Sequence, residues 1–231
     1  MKPQLLRVGN SQSPVVIIDD FSGAVDEVVA IAEALAPFPP SQGNRYPGVR
    51  RMIGQTDPDA YTYVRKACEA AAPFVGGGFG VDAFDLDEAS FSVVTTAPDQ
   101  LEPAQRVPHF DSSEQNLIAV LHYLRVPAAS GTAFYRHRST GIERITATNR
   151  GSFIAAAEPE LASLGKPSDY MEGSDEVFEE IGRVEAVPDR LIMYHGSLLH
   201  SGIIPRGMNF SADPRQGRLT ANIFLIGRSS T

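Results

Sequence analysis

The stretch Val107-Pro-His-Phe-Asp-Ser-Ser113 decides how this chain is read. In an extended segment, residues two apart point to the same side, so His109 and Asp111 can reach one ion while Phe110 turns away. A second stretch, Tyr194-His-Gly-Ser-Leu-Leu-His-Ser-Gly202, follows an apolar run and offers His200. Two imidazoles and one carboxylate fill one face of an octahedron around Fe(II) and leave three adjacent positions open. His109, Asp111 and His200 are therefore expected to form a mononuclear iron site. His195 is the rival third ligand, but it falls at the end of its strand, ahead of the turn that should carry His200.

Working outward, both stretches lie among segments that read as strands: Phe91 to Thr96, Leu117 to Leu124, Gly131 to Arg138, Val184 to Val187, Arg190 to His195 and Arg218 to Ile226. Ahead of them, Val15 to Asp20 reads as an opening strand. A helix capped by Ser22 or Asp20 follows, with apolar Val25, Val28, Val29, Ile31, Ala32 and Leu35, and Pro37, Pro39 and Pro40 end it. The segment from Ser41 to Gln55 reads as an ordered loop, and a second helix should run from about Asp57 to Ala72, with Pro58 in its first turn. Gly76-Gly-Gly-Phe-Gly80 follows a helix and lacks the Lys and Ser/Thr of a phosphate loop, so it reads as a flexible turn. Within the less regular interval 148–182, short helices are expected over Glu158 to Leu164 and Asp175 to Ile181.

Helices first and strands afterwards suit an α+β, mainly β chain whose core is an antiparallel barrel or double-sheet jelly roll. A length of 231 residues with 42% hydrophobic content can bury one full core. We expect a single domain over 1–231, with a helical N-terminal support region 1–88 and a β core 89–231 carrying the insertion 148–182. The formal net charge of −8, with Lys and Arg scattered, argues against a nucleic-acid partner. The lone Cys68 excludes an intrachain disulfide and sits in a helix-like context. No signal-like or membrane-spanning apolar run is present, so a cytoplasmic location without membrane attachment is expected. The oligomeric state stays open.

In the order of these motifs, over roughly Ser90 to Ile226, the chain resembles the Fe(II)/2-oxoglutarate-dependent dioxygenases, most closely the prolyl-4-hydroxylase-like branch and its small bacterial members. His109-Phe-Asp111 resembles the first ligand pair, Ser130-Gly-Thr-Ala-Phe-Tyr135 the glycine-led strand, and Pro188-Asp-Arg-Leu-Ile-Met-Tyr194 the strand leading to the last ligand, His200. The resemblance implies a double-stranded β-helix, cupin-like core and Fe(II), 2-oxoglutarate and O2 as reactants. It makes Arg218 the clamp on the distal carboxylate of 2-oxoglutarate, a task that suits a planar guanidinium fork. Arg206 and Arg215 stay open as alternatives, because the gap from His200 to Arg218 is wide for the family. Tyr123 matches the family tyrosine on the same carboxylate, with His122 facing the other way, and Thr220 and Asn222 share the parity of Arg218.

The implied activity is hydroxylation of a C–H bond in an amino-acid-like, peptidyl or small-metabolite substrate. A carboxylate at Asp111 favours hydroxylation over halogenation, which in related enzymes needs a small residue there. A cupin-like metalloenzyme working without 2-oxoglutarate, and a catalytically silent binding protein on the same fold, are the alternatives. His137, in the charged run Tyr135-Arg-His-Arg-Ser139, reads as part of a solvated hairpin, and Arg136, Arg138, Arg144 and Arg150 as surface cations. Arg45, Tyr46 and Arg50 read either as a substrate lid or as a surface loop packed by one aromatic.

Overall fold

The computed structural model describes residues 3–41, 46–163 and 169–229. The elements run β1 (Pro3–Val8), β2 (Ser13–Ile18), α1 (Val25–Ala34), β3 (Gly48–Met52), α2 (Pro58–Phe79), β4 (Ala83–Val94), β5 (Leu117–Arg125), β6 (Gly131–His137), α3 (Arg150–Ser163), β7 (Phe178–Glu185), β8 (Arg190–His195), β9 (His200–Ile203) and β10 (Arg218–Arg228). Among the described residues, seven strands form one sheet in the order β1-β2-β8-β5-β10-β4-β3, and β7-β6-β9 form a second. Every pairing is antiparallel. The fold is mainly β with three α-helices among the described residues.

Strand alternation distributes the core. On β5, Ile118, Val120 and Leu124 pack with Val28 and Ala32 of α1 and Val64 and Ala67 of α2. Ala119 and Tyr123 face the other way, onto Phe134 and Val184 of the smaller sheet. The larger sheet is thus covered by helices on one face and by the smaller sheet on the other. Burying one such Val, Leu or Ile side chain contributes about 1.5–3 kcal/mol.

Helix α2 starts with Pro58 in its first turn and buries Ala60, Tyr63, Val64, Ala67, Ala71 and Val75, a spacing of three and four that keeps one face on the sheet. It runs farther than its sequence suggests. Pro73 is accommodated inside it, and Gly76 to Phe79 form its last turn rather than a flexible turn. Gly80 closes it in the left-handed conformation, its N–H bonded to the Gly76 carbonyl.

Other expectations are also corrected. Besides the expected opening strand, which is β2, two further strands, β1 and β3, come before α2, and the three widen the large sheet at both edges. The 41–55 segment contains β3, an edge strand in register with β4 from Gly48↔Val94 to Met52↔Ser90. The segment read as a helix over 175–181 instead enters β7, which pairs along all of β6; long-range pairing there overrides a glutamate-rich local pattern. Helix α3 begins at Arg150, earlier than the expected Glu158, and Leu164 lies outside the described residues. The N-cap of α1 is Ala24; the Ser22 hydroxyl donates to Asp189. No helix among the described residues is long and apolar enough to cross a membrane.

Candidate metal centre and its cavity

Two backbone ladders bring the ends of the sequence motifs together. His109 and His200 exchange N–H···O=C bonds of 2.8 Å in each direction, and the Asp111 N–H donates to the Gly196 carbonyl at 2.7 Å. The segment carrying His109 and Asp111 is therefore laid antiparallel beside the turn into β9. Phe110 turns toward α3 and meets Phe153 edge-on, with ring centroids 6.3 Å apart. One ligand atom from each of His109, Asp111 and His200 then lies within 4.8 Å of the others.

The His200 ring is oriented from behind. Its Nδ1 lies 2.8 Å from the Leu198 carbonyl, and a carbonyl can only accept, so Nδ1 carries the proton and Nε2 presents a lone pair. Nε2 stands 3.7 Å from Asp111 Oδ2. Tyr194 packs on the same ring at 4.8 Å between centroids; burial and the nearby Asp111 carboxylate push its phenol well above the ordinary range, so it stays protonated. One oriented imidazole lone pair, a second imidazole and a carboxylate form a donor set that suits a divalent first-row metal.

These residues open onto a cavity of about 670 Å³ that Arg218, Thr220 and Asn222 also line. Arg218 is 5% exposed, donating from Nε to Ser130 Oγ at 2.9 Å and from Nη2 to the Gly131 carbonyl at 3.3 Å. His200 pairs with Phe134 on the strand whose first residue is Gly131. Gly131 and Phe134 are three residue steps apart on the strand, so Arg218 is held about 10 Å along it from the His200 position. Asn222 Nδ2 donates to Ser92 Oγ at 2.8 Å. Arg206 and Arg215 do not line this cavity: both are exposed, paired with Asp169 and Glu33 respectively.

Tyr123 lies fully buried behind the cavity wall, under the Arg218 guanidinium at 5.8 Å from ring centroid to Cζ. Its hydroxyl is engaged by Thr132 Oγ1 at 2.7 Å, and it is Thr132 that faces the cavity. Burial pushes the Tyr123 phenol up to about 12 despite the nearby cation. His122 faces the helices, bonded to Tyr63 Oη at 2.8 Å and Asp189 Oδ1 at 2.9 Å. His195 also points away from the cavity, edge-on to Phe79 of α2 at 5.0 Å, and burial with Arg144 nearby lowers its pKa to about 4.

His137 is not solvated. It is fully buried, held by Thr140 Oγ1 at 2.8 Å and Glu160 Oε2 at 3.0 Å between the rings of Phe153 and Phe178. Arg136 pairs with Glu143 and Glu179, away from the cavity. Arg45 lies outside the described residues, whereas Tyr46 and Arg50 line the cavity, the latter paired with Glu88 at 2.6 Å. Thr132, Tyr170 and Tyr194 are cavity residues that motif reading did not single out. Parity with His200-facing strands marks Tyr194; nothing local marks Tyr170.

Solved structures share this fold. The non-heme alpha ketoglutarate dependent epimerase SnoN from nogalamycin biosynthesis is 13% identical, with a TM-score of 0.58 over 94% of this chain and 80% of that one. HygX from Streptomyces hygroscopicus, with nickel and 2-oxoglutarate bound, is 13% identical, with a TM-score of 0.54 over 94% and 84%. A prolyl hydroxylase from Trichoplax adhaerens, in complex with a hypoxia inducible factor peptide, is 13% identical, with a TM-score of 0.52 over 92% and 83%. The chain thus has the fold of the iron- and 2-oxoglutarate-dependent oxygenases. No curated protein sequence matches it. One family model matches residues 1–225, and by that match the chain belongs to the family described as "Family of unknown function (DUF6445)".

Proposed function

We propose that this chain is an Fe(II)- and 2-oxoglutarate-dependent oxygenase that hydroxylates a C–H bond of an amino-acid-like, peptidyl or small-metabolite substrate. The carrying observation is one cavity lined both by three converging ligand atoms and by a buried guanidinium held about 10 Å along β6. That separation suits a five-carbon dicarboxylate chelating a metal at one end and pairing with Arg218 at the other. The facing sheets are read as a double-stranded β-helix in one domain, with 1–88 as support and 148–182 inserted in the core.

In this reading His109, Asp111 and His200 would hold iron. Iron held there with 2-oxoglutarate would activate O2, which supplies the oxidising equivalents: one oxygen atom would end in succinate as CO2 is lost and the other in the hydroxylated C–H bond. The protein supplies position. The Leu198 carbonyl fixes the His200 tautomer, and Ser130 and Gly131 fix the Arg218 fork, leaving its remaining N–H groups for a carboxylate. Thr220 and Asn222 add polar groups on the same strand face, with Tyr123 supporting the guanidinium from behind. Leu117, Leu121 and Ile204 contribute apolar wall that limits water near the reacting atoms.

Anaerobic titration of the apo-protein with Fe(II) and then 2-oxoglutarate, followed through the weak visible metal-to-ligand charge-transfer band, tests the proposal. The wild type is expected to develop the band, and His109→Ala and His200→Ala to lose it. Arg218→Ala should need about 100-fold more 2-oxoglutarate, the cost of leaving one charged partner of a buried pair unmatched. Iron binding without a band at any 2-oxoglutarate concentration would overturn the cosubstrate assignment.

A further inference from the structure

Tyr194, Ala119, Phe224 and Glu88 stand opposite one another on β8, β5, β10 and β4, and all of them line the cavity. They form a row across the strands. With neighbouring strands about 4.8 Å apart, that row spans about 14 Å. One end meets the candidate metal centre, where the Tyr194 ring packs on His200. The cavity thus has a second arm, running across the larger sheet rather than along it toward Arg218. Ala119 leaves room in the floor of this arm, between Leu117 and Leu121.

The far end of the arm carries charge of both signs. Arg50 is fixed there by its Nε, which donates to Ser90 Oγ at 2.8 Å, and by its Nη2, which donates to Glu88 Oε1 at 2.6 Å. Its guanidinium lies over the Phe224 ring, with Cζ 5.9 Å from the centroid. Clipping β3 to β4 uses these two nitrogens and leaves the N–H groups of Nη1 unspent among the described residues. Beside this pair the β4–β10 register shifts: Glu88 pairs with Phe224 and Leu86 with Leu225, so Asp87 is the extra residue of a bulge. A bulge re-aims a side chain, and Asp87 lines the cavity next to Glu88, exposed and without an ion pair among the described residues.

A guanidinium with spare N–H groups, and a spare carboxylate one residue from its partner, complement a carboxylate and an ammonium on neighbouring atoms. We infer that the substrate is a free α-amino acid, its head group held by Arg50, Glu88 and Asp87 and its side chain laid over Ala119 toward the metal. This deepens the oxygenase reading above and rests on it: a 2-oxo acid in the arm toward Arg218 leaves this arm for the substrate. A residue inside a peptide lacks both head-group charges. From Phe224, under the guanidinium, about 10 Å remain to Tyr194, a length that suits a side chain of several carbons rather than that of Gly, Ala or Ser.

Calorimetric titration of the full chain loaded with redox-inert Mn(II) and 2-oxoglutarate tests this without turnover, using the standard free L-amino acids and the N-acetyl and carboxamide forms of each. At least one long-chain amino acid is expected to bind, and capping either end of it should weaken binding about tenfold or more, the worth of a hydrogen bond to a charged group. Asp87→Asn, a change at an exposed position, should weaken the free acid by a similar factor but not its N-acetyl form. Arg50→Gln should weaken the free acid but not its carboxamide. Equal weakening of free and capped forms by both variants would show a merely structural role and overturn the inference. So would capped forms that bind as well as the free acid, or a chain that takes up Mn(II) and 2-oxoglutarate but no free amino acid; the oxygenase reading would survive either result. A chain that binds Mn(II) but not 2-oxoglutarate would overturn that reading and the inference with it.

Discussion

A methyl group at position 196 would stand 2.6 Å from Leu117 Cδ2 and 3.3 Å from both Cβ and Oδ2 of Asp111. The glycine between Tyr194-His and Ser-Leu-Leu-His therefore sets how closely the Asp111 carboxylate lies against the turn that carries His200. The Leu117 tip can swing aside, but the carboxylate is tied by the Asp111 N–H bond to Gly196 itself and must shift with it. Gly196→Ala is expected to cost about 1–3 kcal/mol in urea denaturation, the usual range for overpacking. It should also weaken Mn(II) binding about tenfold, as displaced support of a ligand does. Lost stability with undiminished metal affinity would remove Asp111 from the ligand set. At this scale the His-x-Asp pair is legible because side-chain alternation needs only two residues of spacing. Tyr46 is legible only as one of two readings, lid or surface loop, since its place depends on the Pro47 carbonyl meeting Thr95 and Thr96, just past β4 and some fifty positions away.

Between elements, the Asp189 carboxylate joins the turn before β8 to the start of α1 and, through His122, to α2. It accepts from Ser22 N–H at 3.0 Å, Ser22 Oγ–H at 2.6 Å, Gly23 N–H at 2.8 Å and His122 Nε2 at 2.9 Å, and His122 Nδ1 continues to Tyr63. Burial by itself would raise its pKa, but these donors outweigh burial and hold it well below the ordinary 3.8. The stabilisation is therefore complete above that value and lost as pH falls beneath it. Asn tolerates the left-handed backbone of this position (φ 64°) as Asp does, so Asp189→Asn isolates the charge and the lost acceptor. We expect it to destabilise by about 2–4 kcal/mol at pH 7. In denaturant unfolding at a series of pH values, its deficit against wild type should shrink below pH 4; a pH-independent deficit would assign the effect to packing alone. Elements differ in legibility for related reasons. β5, β8 and β10 announce themselves by near-continuous apolar runs because two faces are buried, whereas β3, with Arg50 and Arg51 in five residues, is held by its register with β4 and by a bridge between Val49 and Pro40. The glutamates of β7 obscure a strand that β6 imposes, and the glycines after Pro73 hide the last turn of α2.

At the scale of the molecule, the candidate site straddles the two sheets. His200 belongs to β9 of the three-stranded sheet, Arg218 to β10 of the seven-stranded sheet, and His109 and Asp111 to a connection lying against the first. Arg218 already reaches across, bonding Ser130 and Gly131 at the head of β6. A ligand held at both ends therefore favours the docked arrangement of the sheets, and binding becomes folding stability by mass action. A 2-oxo acid at 100 times its dissociation constant, added to the Mn(II)-loaded protein, adds about 2.7 kcal/mol. For a chain of this length that corresponds to a rise in Tm of about 5–11 °C. Scanning calorimetry should show this increment with 2-oxoglutarate in the wild type, an unaltered Mn(II) response but little 2-oxoglutarate increment in Arg218→Ala, and neither response in His200→Ala. An increment that survives in His200→Ala would put the ligand on one sheet only, and the two ends of the cavity would then have to serve separate molecules.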